Sequence, residues 1–221
     1  MAFAHSEPPT ARATPATGAA PTTGAAPAAD APPAFTALKI LIAGGFGVGK
    51  TTLVGAVSEI RPLTTEEDLT EVSRPVDDLS GVETKTTTTV AMDFGRISLR
   101  DDLALYLFGT PGQHRFWFAW DELATGALGA VVLADTRRLT DCFPAVDFFE
   151  DRGIPFLVAV NCFDGVASHR PESISGALDL GPDTPVVLCD ARDRESCKQV
   201  LVALVEHVVA GELAVAATAG G

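Results

Sequence analysis

A short apolar run, Leu38 to Ala43, is followed at once by Gly44-Gly45-Phe46-Gly47-Val48-Gly49-Lys50-Thr51 and then by a helical stretch to about Ile60. No other feature constrains the chain as strongly. A buried strand, a glycine-rich turn ending in Gly-Lys-Thr and a helix together make a phosphate-binding loop. Glycines let the backbone approach an anion closely, and the unpaired N–H groups of a helix N-terminus attract it. In such a loop Lys50 reaches the β- and γ-phosphates, and the Thr51 hydroxyl takes a place on Mg²⁺. The expected phosphate-binding set is Gly45, Phe46, Gly47, Val48, Gly49, Lys50, Thr51 and Thr52. Two placements are open for Phe46. Its ring shields or crowds the γ-phosphate region, or it turns outward and packs on the following loop.

Charge then limits what the loop serves. The 221 residues carry a net charge of −13. A nucleic-acid partner needs clustered Lys and Arg to displace counterions, so none is expected. Direct docking on anionic lipid is excluded on the same ground. A phosphate site in this background must be positive locally, through backbone N–H groups and one lysine. Cys142, Cys162, Cys189 and Cys197 form no C-x-x-C pair and follow no secretory signal. They read as free thiols of a reducing cytoplasm. No uninterrupted apolar stretch of spanning length is read, and no lipidation motif. Membrane association is expected only through partners.

Residues 1–36 are almost all Ala, Pro, Thr and Gly and are expected to be a disordered arm, passive or regulatory. Residues 37–210 read as one domain and 211–221 as a loose tail. Within the domain, strands alternate with helices. Strands are expected at Leu38–Ala43, Val90–Leu99, Leu103–Phe108, Ala130–Ala134, Phe156–Val160 and Val186–Cys189. The second and third flank Arg100-Asp101-Asp102 as an antiparallel hairpin. Helices are expected at about 50–60, 115–126, 141–151, 171–178 and 193–210. Between them Arg61 to Thr88 is polar, broken by Pro62, Pro75 and Gly81, and reads as a long functional segment. The fold class is therefore α/β: a six-stranded, mainly parallel sheet with one antiparallel edge strand and helices on both faces. Ligands of such sheets sit at the carboxyl ends of strands.

The later motifs carry a family resemblance. Phe108-Gly109-Thr110-Pro111-Gly112-Gln113 resembles the D-x-x-G-Q segment of Ras-like small GTPases. Thr89-Val90-Ala91-Met92-Asp93-Phe94 looks like the end of their first switch. Asn161-Cys162-Phe163-Asp164 follows a strand as N-K-x-D does, and Asp190-Ala191-Arg192 stands where S-A-K would be. The similarity covers about residues 38–210 in family order. The T-P-G-Q form is most like the prokaryotic branch, which includes MglA-like proteins and the actinobacterial conservon-encoded GTPases.

The resemblance implies a G domain that binds GTP or GDP with Mg²⁺. Asp164 would accept from guanine N1–H and the 2-amino group, which adenine cannot match. Asn161 would tie its loop to the phosphate loop, and Ala191 N–H would meet guanine O6. Cys162, Asp190 and Arg192 complete the implied guanine-binding set. Thr89, with Thr84 and Thr86 to Thr88 as neighbouring candidates, would join Thr51 on the metal, Gly112 N–H would sense the γ-phosphate, and Gln113 would orient the attacking water. Partners implied are a roadblock-type regulatory protein and, with it, a sensor-kinase complex.

Three departures stand out. Gly109 occupies the position of a carboxylate that supports Mg²⁺, so weaker metal binding or a substitute is expected. Asp135 is the candidate substitute, against a plain turn cap. Cys162 replaces a lysine that packs on the base and braces the phosphate loop. Asp190 replaces a small hydroxyl residue, and a turn-capping role is open to it. No arginine among Arg115, Arg137 and Arg138 is assigned to catalysis. Phe116, Trp117, Phe118 and Trp120 divide between core and a partner-binding patch. The expected function is a switch that hydrolyses GTP slowly and changes shape at about residues 61–89 and 109–120. The alternative is a nucleotide-binding adaptor with little or no hydrolysis. A P-loop kinase has no support beyond the loop.

Overall fold

The computed structural model describes residues 35–70, 87–112, 118–163 and 169–219. The expected disordered arm falls, up to residue 34, outside the described residues, as do Gln113 and Asp164. Seven strands make one sheet: β1 (Thr36–Gly44), β2 (Leu63–Thr70), β3 (Thr87–Arg100), β4 (Leu103–Gly109), β5 (Ala127–Ala134), β6 (Phe156–Asn161) and β7 (Val186–Cys189). Their order is β2-β3-β4-β1-β5-β6-β7. β4, β1, β5, β6 and β7 run parallel, and β3 is antiparallel to both of its neighbours.

The six-stranded mixed sheet expected from the apolar runs is thus present. β2 lies alongside it as a further strand, so the antiparallel strand is one place in from the edge. The residues of β2, Leu-Thr-Thr-Glu-Glu-Asp-Leu-Thr, were expected to belong to the long polar segment. An edge strand tolerates charge because one side faces water, and charge there discourages pairing with other chains.

Alternation along β1 distributes the core. Ile40 and Ile42 face one layer, with Leu53, Val54 and Val57 of α1 (Lys50–Val57) and Val200, Leu201, Leu204 and Val208 of α5 (Arg194–Ala219). Leu41 and Ala43 face the other, with α2 (Phe118–Ala124), α3 (Phe143–Asp151) and α4 (Pro171–Ala177). Both faces being covered explains why β5 and β6 are almost unbroken apolar runs. Truncating a buried leucine such as Leu133 or Leu157 (both 0% exposed) is of the class that costs about 2–5 kcal/mol.

Two expectations about the last helix are corrected. It does not end near residue 210 but continues to Ala219, with residues 211–218 exposed. Glu212, Leu213, Ala214, Ala216 and Ala217 have high helix propensity, which outweighs the cost of one glycine, about 1 kcal/mol at Gly211. The helix Arg194–Thr218 also contains an 18-residue window of mean hydropathy 1.9, apolar enough to cross a membrane by length and composition. Its inner face instead packs on the sheet. α5 lies so close to β5 that a Cβ on Gly129 would meet Leu204 Cδ1 at 3.2 Å and Val208 Cγ2 at 3.3 Å.

Candidate functional site

The turn between β1 and α1 lies at the carboxyl end of the central strand, with β4 on one side and β5 on the other. It is held from behind by one side chain. Asn161, at the end of β6 and 7% exposed, donates from Nδ2 to the Val48 carbonyl at 2.9 Å. Its Oδ1 accepts from Ala191 N–H at 3.1 Å. One amide therefore joins the phosphate loop, β6 and the loop after β7. Gly49 permits this: its φ of 111° suits glycine, and a Cβ there would meet Asn161 Nδ2 at 2.8 Å. The expected tie between Asn161 and the loop is as described. Ala191 differs from expectation, since its N–H, buried at 1% exposure, is directed to Asn161 and not outward to a base.

Lys50 begins α1, and its Nζ donates to the carbonyls of Gly44 at 2.9 Å and Gly45 at 2.8 Å. Burial pushes the ammonium down to about 8, and the charge of Asp93 opposes that shift. Thr51 Oγ1 donates to Asp93 Oδ2 at 2.5 Å. Thr52 is exposed on the same helix. Phe46 is 68% exposed, and the structure fixes its backbone: the carbonyl accepts from Arg138 Nη2 at 3.1 Å. Val48 is buried beneath the loop at 3% exposure.

Opposite the loop stands the start of the second expected switch. A Cβ on Gly112 would meet Lys50 Nζ at 2.7 Å and the Gly45 carbonyl at 3.2 Å, so its backbone lies close against the loop. Thr110 N–H donates to the Ile42 carbonyl at 2.9 Å. Trp120 Nε1 donates to the Pro111 carbonyl at 3.3 Å. The Trp120 ring is buried edge-on to Phe148 at 5.2 Å and stacked on Phe149 at 6.0 Å. Trp120 is therefore core, and it anchors the T-P-G segment. Phe116 and Trp117 lie outside the described residues.

The remaining assignments separate. Thr89 is in β3, paired with Asp68 of β2. It lies four residues before Asp93, about 13 Å along a strand that rises roughly 3.3 Å per residue. In this structure Thr89 belongs to the sheet and is not beside Thr51. Asp135 is a turn cap: its carboxylate accepts from Arg137 N at 3.0 Å, Nε at 2.9 Å and Nη2 at 2.8 Å. Those hydrogen bonds hold its carboxyl below the usual range. The Arg137 guanidinium also lies over the Phe163 ring, 4.1 Å from its centroid. Asp190 caps the next turn by accepting from Arg192 N at 2.9 Å and pairing with the guanidinium at 3.1 Å. Cys162 is half-buried, and its N–H donates to the Cys189 carbonyl at 2.7 Å. Burial pushes the thiols up to about 11 at Cys142, 12 at Cys189 and 11 at Cys197, so all three are poor nucleophiles.

Two residues of the site escaped the sequence reading. Arg138, assigned no role from the sequence, holds the Phe46 carbonyl. Asp93 was quoted only as part of the first switch. Its one signal was an acid within an apolar strand, 16 residues before Gly109.

A glycine-rich turn between the central strand and the first helix, a half-buried lysine at its end and a Gly112 backbone facing it define a P-loop nucleotide-binding protein of the G-domain fold. Residues 42–211 match the profile of the family described as conserved hypothetical ATP binding protein, and the chain belongs to that family. An uncharacterised protein of Methanocaldococcus jannaschii is 30% identical over 129 residues, 58% of this chain and 71% of that one. The cytosolic domain of the T. maritima FeoB iron transporter in a GDP form superposes with a TM-score of 0.56 at 17% identity. That match covers 79% of this chain and 64% of the FeoB chain, so this chain spans just under two thirds of it. The G domain alone of FeoB from Methanococcus jannaschii gives 0.51 at 15% identity, covering 79% of this chain and 99% of that chain. At these identities the likeness is one of fold.

Proposed function

We propose that this chain is a GTP-binding switch that hydrolyses GTP to GDP slowly and signals to partner proteins through residues about 61–89 and 109–120. The observation that carries this reading is Asn161. Its amide joins the Val48 carbonyl to Ala191 N–H, so the first residue of the N-C-F-D segment is tied to the phosphate loop. By the family resemblance, Asp164 at the end of that segment is the guanine-selecting carboxylate, and Gln113, after Gly112, is the residue that orients water. The family's description names ATP, and a T. maritima FeoB structure was solved in a GMPPNP form, so base choice is the first quantity to test. Mg²⁺ suits the donor set: a hard cation takes a hydroxyl such as that of Thr51, phosphate oxygens and waters. When bound it neutralises phosphate charge, while Lys50 and the loop backbone orient the phosphates. Thr89 reaches the metal in this reading only if β3 releases its pairing with β2, which makes that pairing the element exchanged between states. A roadblock-type protein with a sensor-kinase complex is the proposed partner, in a cytoplasmic setting.

The adaptor reading is favoured by Gly109, the exposed Phe46 and Cys162. Single-turnover hydrolysis of labelled GTP, with and without a roadblock protein, separates the two. The switch reading expects phosphate release that Gln113→Leu abolishes. Release absent under both conditions leaves the adaptor.

Lys50 also sets a pH dependence. Phosphate binds the protonated lysine, and the free protein holds that proton below about pH 8. Above it each binding event must take up a proton, so affinity is expected to fall by up to about tenfold per pH unit. Nucleotide titrations from pH 7 to 9.5 measure this. A flat profile through pH 9 would remove Lys50 from the site.

A further inference from the structure

The carboxylate missing at Gly109 has a neighbour in its place. Asp93 on β3 and Gly109 at the end of β4 are directly paired across the antiparallel ladder. A Cβ on Gly109 would meet Asp93 Cβ at 3.1 Å and Oδ2 at 3.2 Å, so the space a side chain would enter is filled by the Asp93 carboxylate. Asp93 is 8% exposed, and its Oδ2 accepts from Thr51 Oγ1 at 2.5 Å. A hydroxyl has one proton and two lone pairs. With its proton directed to Asp93, Thr51 keeps both lone pairs for a cation. The Thr51 hydroxyl thus lies against the Asp93 carboxylate, whose charge also acts on the Lys50 ammonium.

We propose that Asp93 replaces, from the adjacent strand, the metal-supporting carboxylate lost at Gly109: it orients the Thr51 hydroxyl and supplies the negative charge beside Mg²⁺. The inference rests on the nucleotide-binding reading above. It extends that reading by naming the acid. A merely structural role, anchoring the start of α1 to β3, would affect nucleotide equally with and without metal. A metal-supporting role acts only when metal is present.

The experiment is fluorescent GDP titration of the full chain in excess Mg²⁺ and in excess EDTA. Wild type is expected to bind roughly tenfold or more tighter with Mg²⁺. Asp93→Asn keeps an acceptor for Thr51 and the side-chain volume, so folding is preserved. It is expected to lose most of the Mg²⁺ enhancement, with EDTA affinity unchanged or slightly improved. Asp93→Gly should lose the enhancement too, and Asp93→Gly/Gly109→Asp should regain at least half of it by restoring a carboxylate from β4. An Asp93→Asn protein with full Mg²⁺ enhancement, or one weakened equally in both conditions, overturns the proposal. So does a folded double variant no better than Asp93→Gly. Wild type that binds no nucleotide in either condition instead overturns the underlying reading.

Discussion

Lys50→Ala is expected to weaken nucleotide binding more than a hundredfold while leaving the free protein about as stable as wild type. The two halves of this expectation have different causes. In the complex the ammonium gives charge-assisted hydrogen bonds to phosphate, each worth about 1.5–3 kcal/mol, and two of them exceed the roughly 2.7 kcal/mol that a hundredfold requires. In the free protein the lysine is half-buried, bonded among the described residues to the Gly44 and Gly45 carbonyls, and held down to about 8. The unfolded chain binds that proton more tightly. The buried charge therefore opposes folding below about pH 8, and stability rises with pH between about 8 and the unfolded value of 10.5. Alanine removes this cost together with two hydrogen bonds, and the effects largely offset. Titration of a fluorescent nucleotide beside thermal melting of the free protein checks both halves. A surface lysine beside a glycine-rich turn would show neither the affinity loss nor the pH-dependent stability.

Asn161→Ala is expected to produce the opposite pattern, a large loss of stability with a loss of affinity following from it. The side chain satisfies Val48 O and Ala191 N–H, both in buried residues, and ties two loops to the end of β6. An orphaned buried group costs about 1–3 kcal/mol, so two give roughly 2–6 kcal/mol. Urea unfolding should show a lower midpoint at unchanged slope, since the surface exposed on unfolding is the same. Aspartate at 161 retains the acceptor for Ala191 but sets an oxygen against the Val48 carbonyl, so it should rescue little. A midpoint shift equivalent to less than about 0.5 kcal/mol, the range of surface substitutions, would mean that the loops are held by other contacts.

These two residues were legible in the sequence because their roles are local to a motif. Lys50 follows from the loop, and Asn161 from the resemblance of N-C-F-D, after an apolar strand, to N-K-x-D. The six apolar strands were legible for a similar reason, since burial on both faces leaves continuous runs. β2 was not, because an edge strand of Thr, Glu and Asp has no apolar period, and its pairing with β3 alone makes it a strand. Asp93 was not, because its meaning lies in cross-strand register with Gly109, which spacing along the chain does not encode. Asp135 illustrates the reverse. Its position after a strand matched a metal-site acid, but Arg137, two residues on, satisfies both carboxylate oxygens. The extension of α5 past Gly211 was missed by giving one glycine more weight than the alanines that follow.

The central claim is that the phosphate loop and the segment after β6 form one site selective for guanine nucleotide. The measurement that tests it most directly is a competition titration of GTP, GDP and ATP against fluorescent GDP, in Mg²⁺, for wild type and Asp164→Ala. The account expects ATP to compete at least a hundredfold more weakly than GTP, and Asp164→Ala to erase most of that difference by weakening guanine nucleotides alone. Equal competition by ATP, or an Asp164→Ala protein that still discriminates, would contradict it.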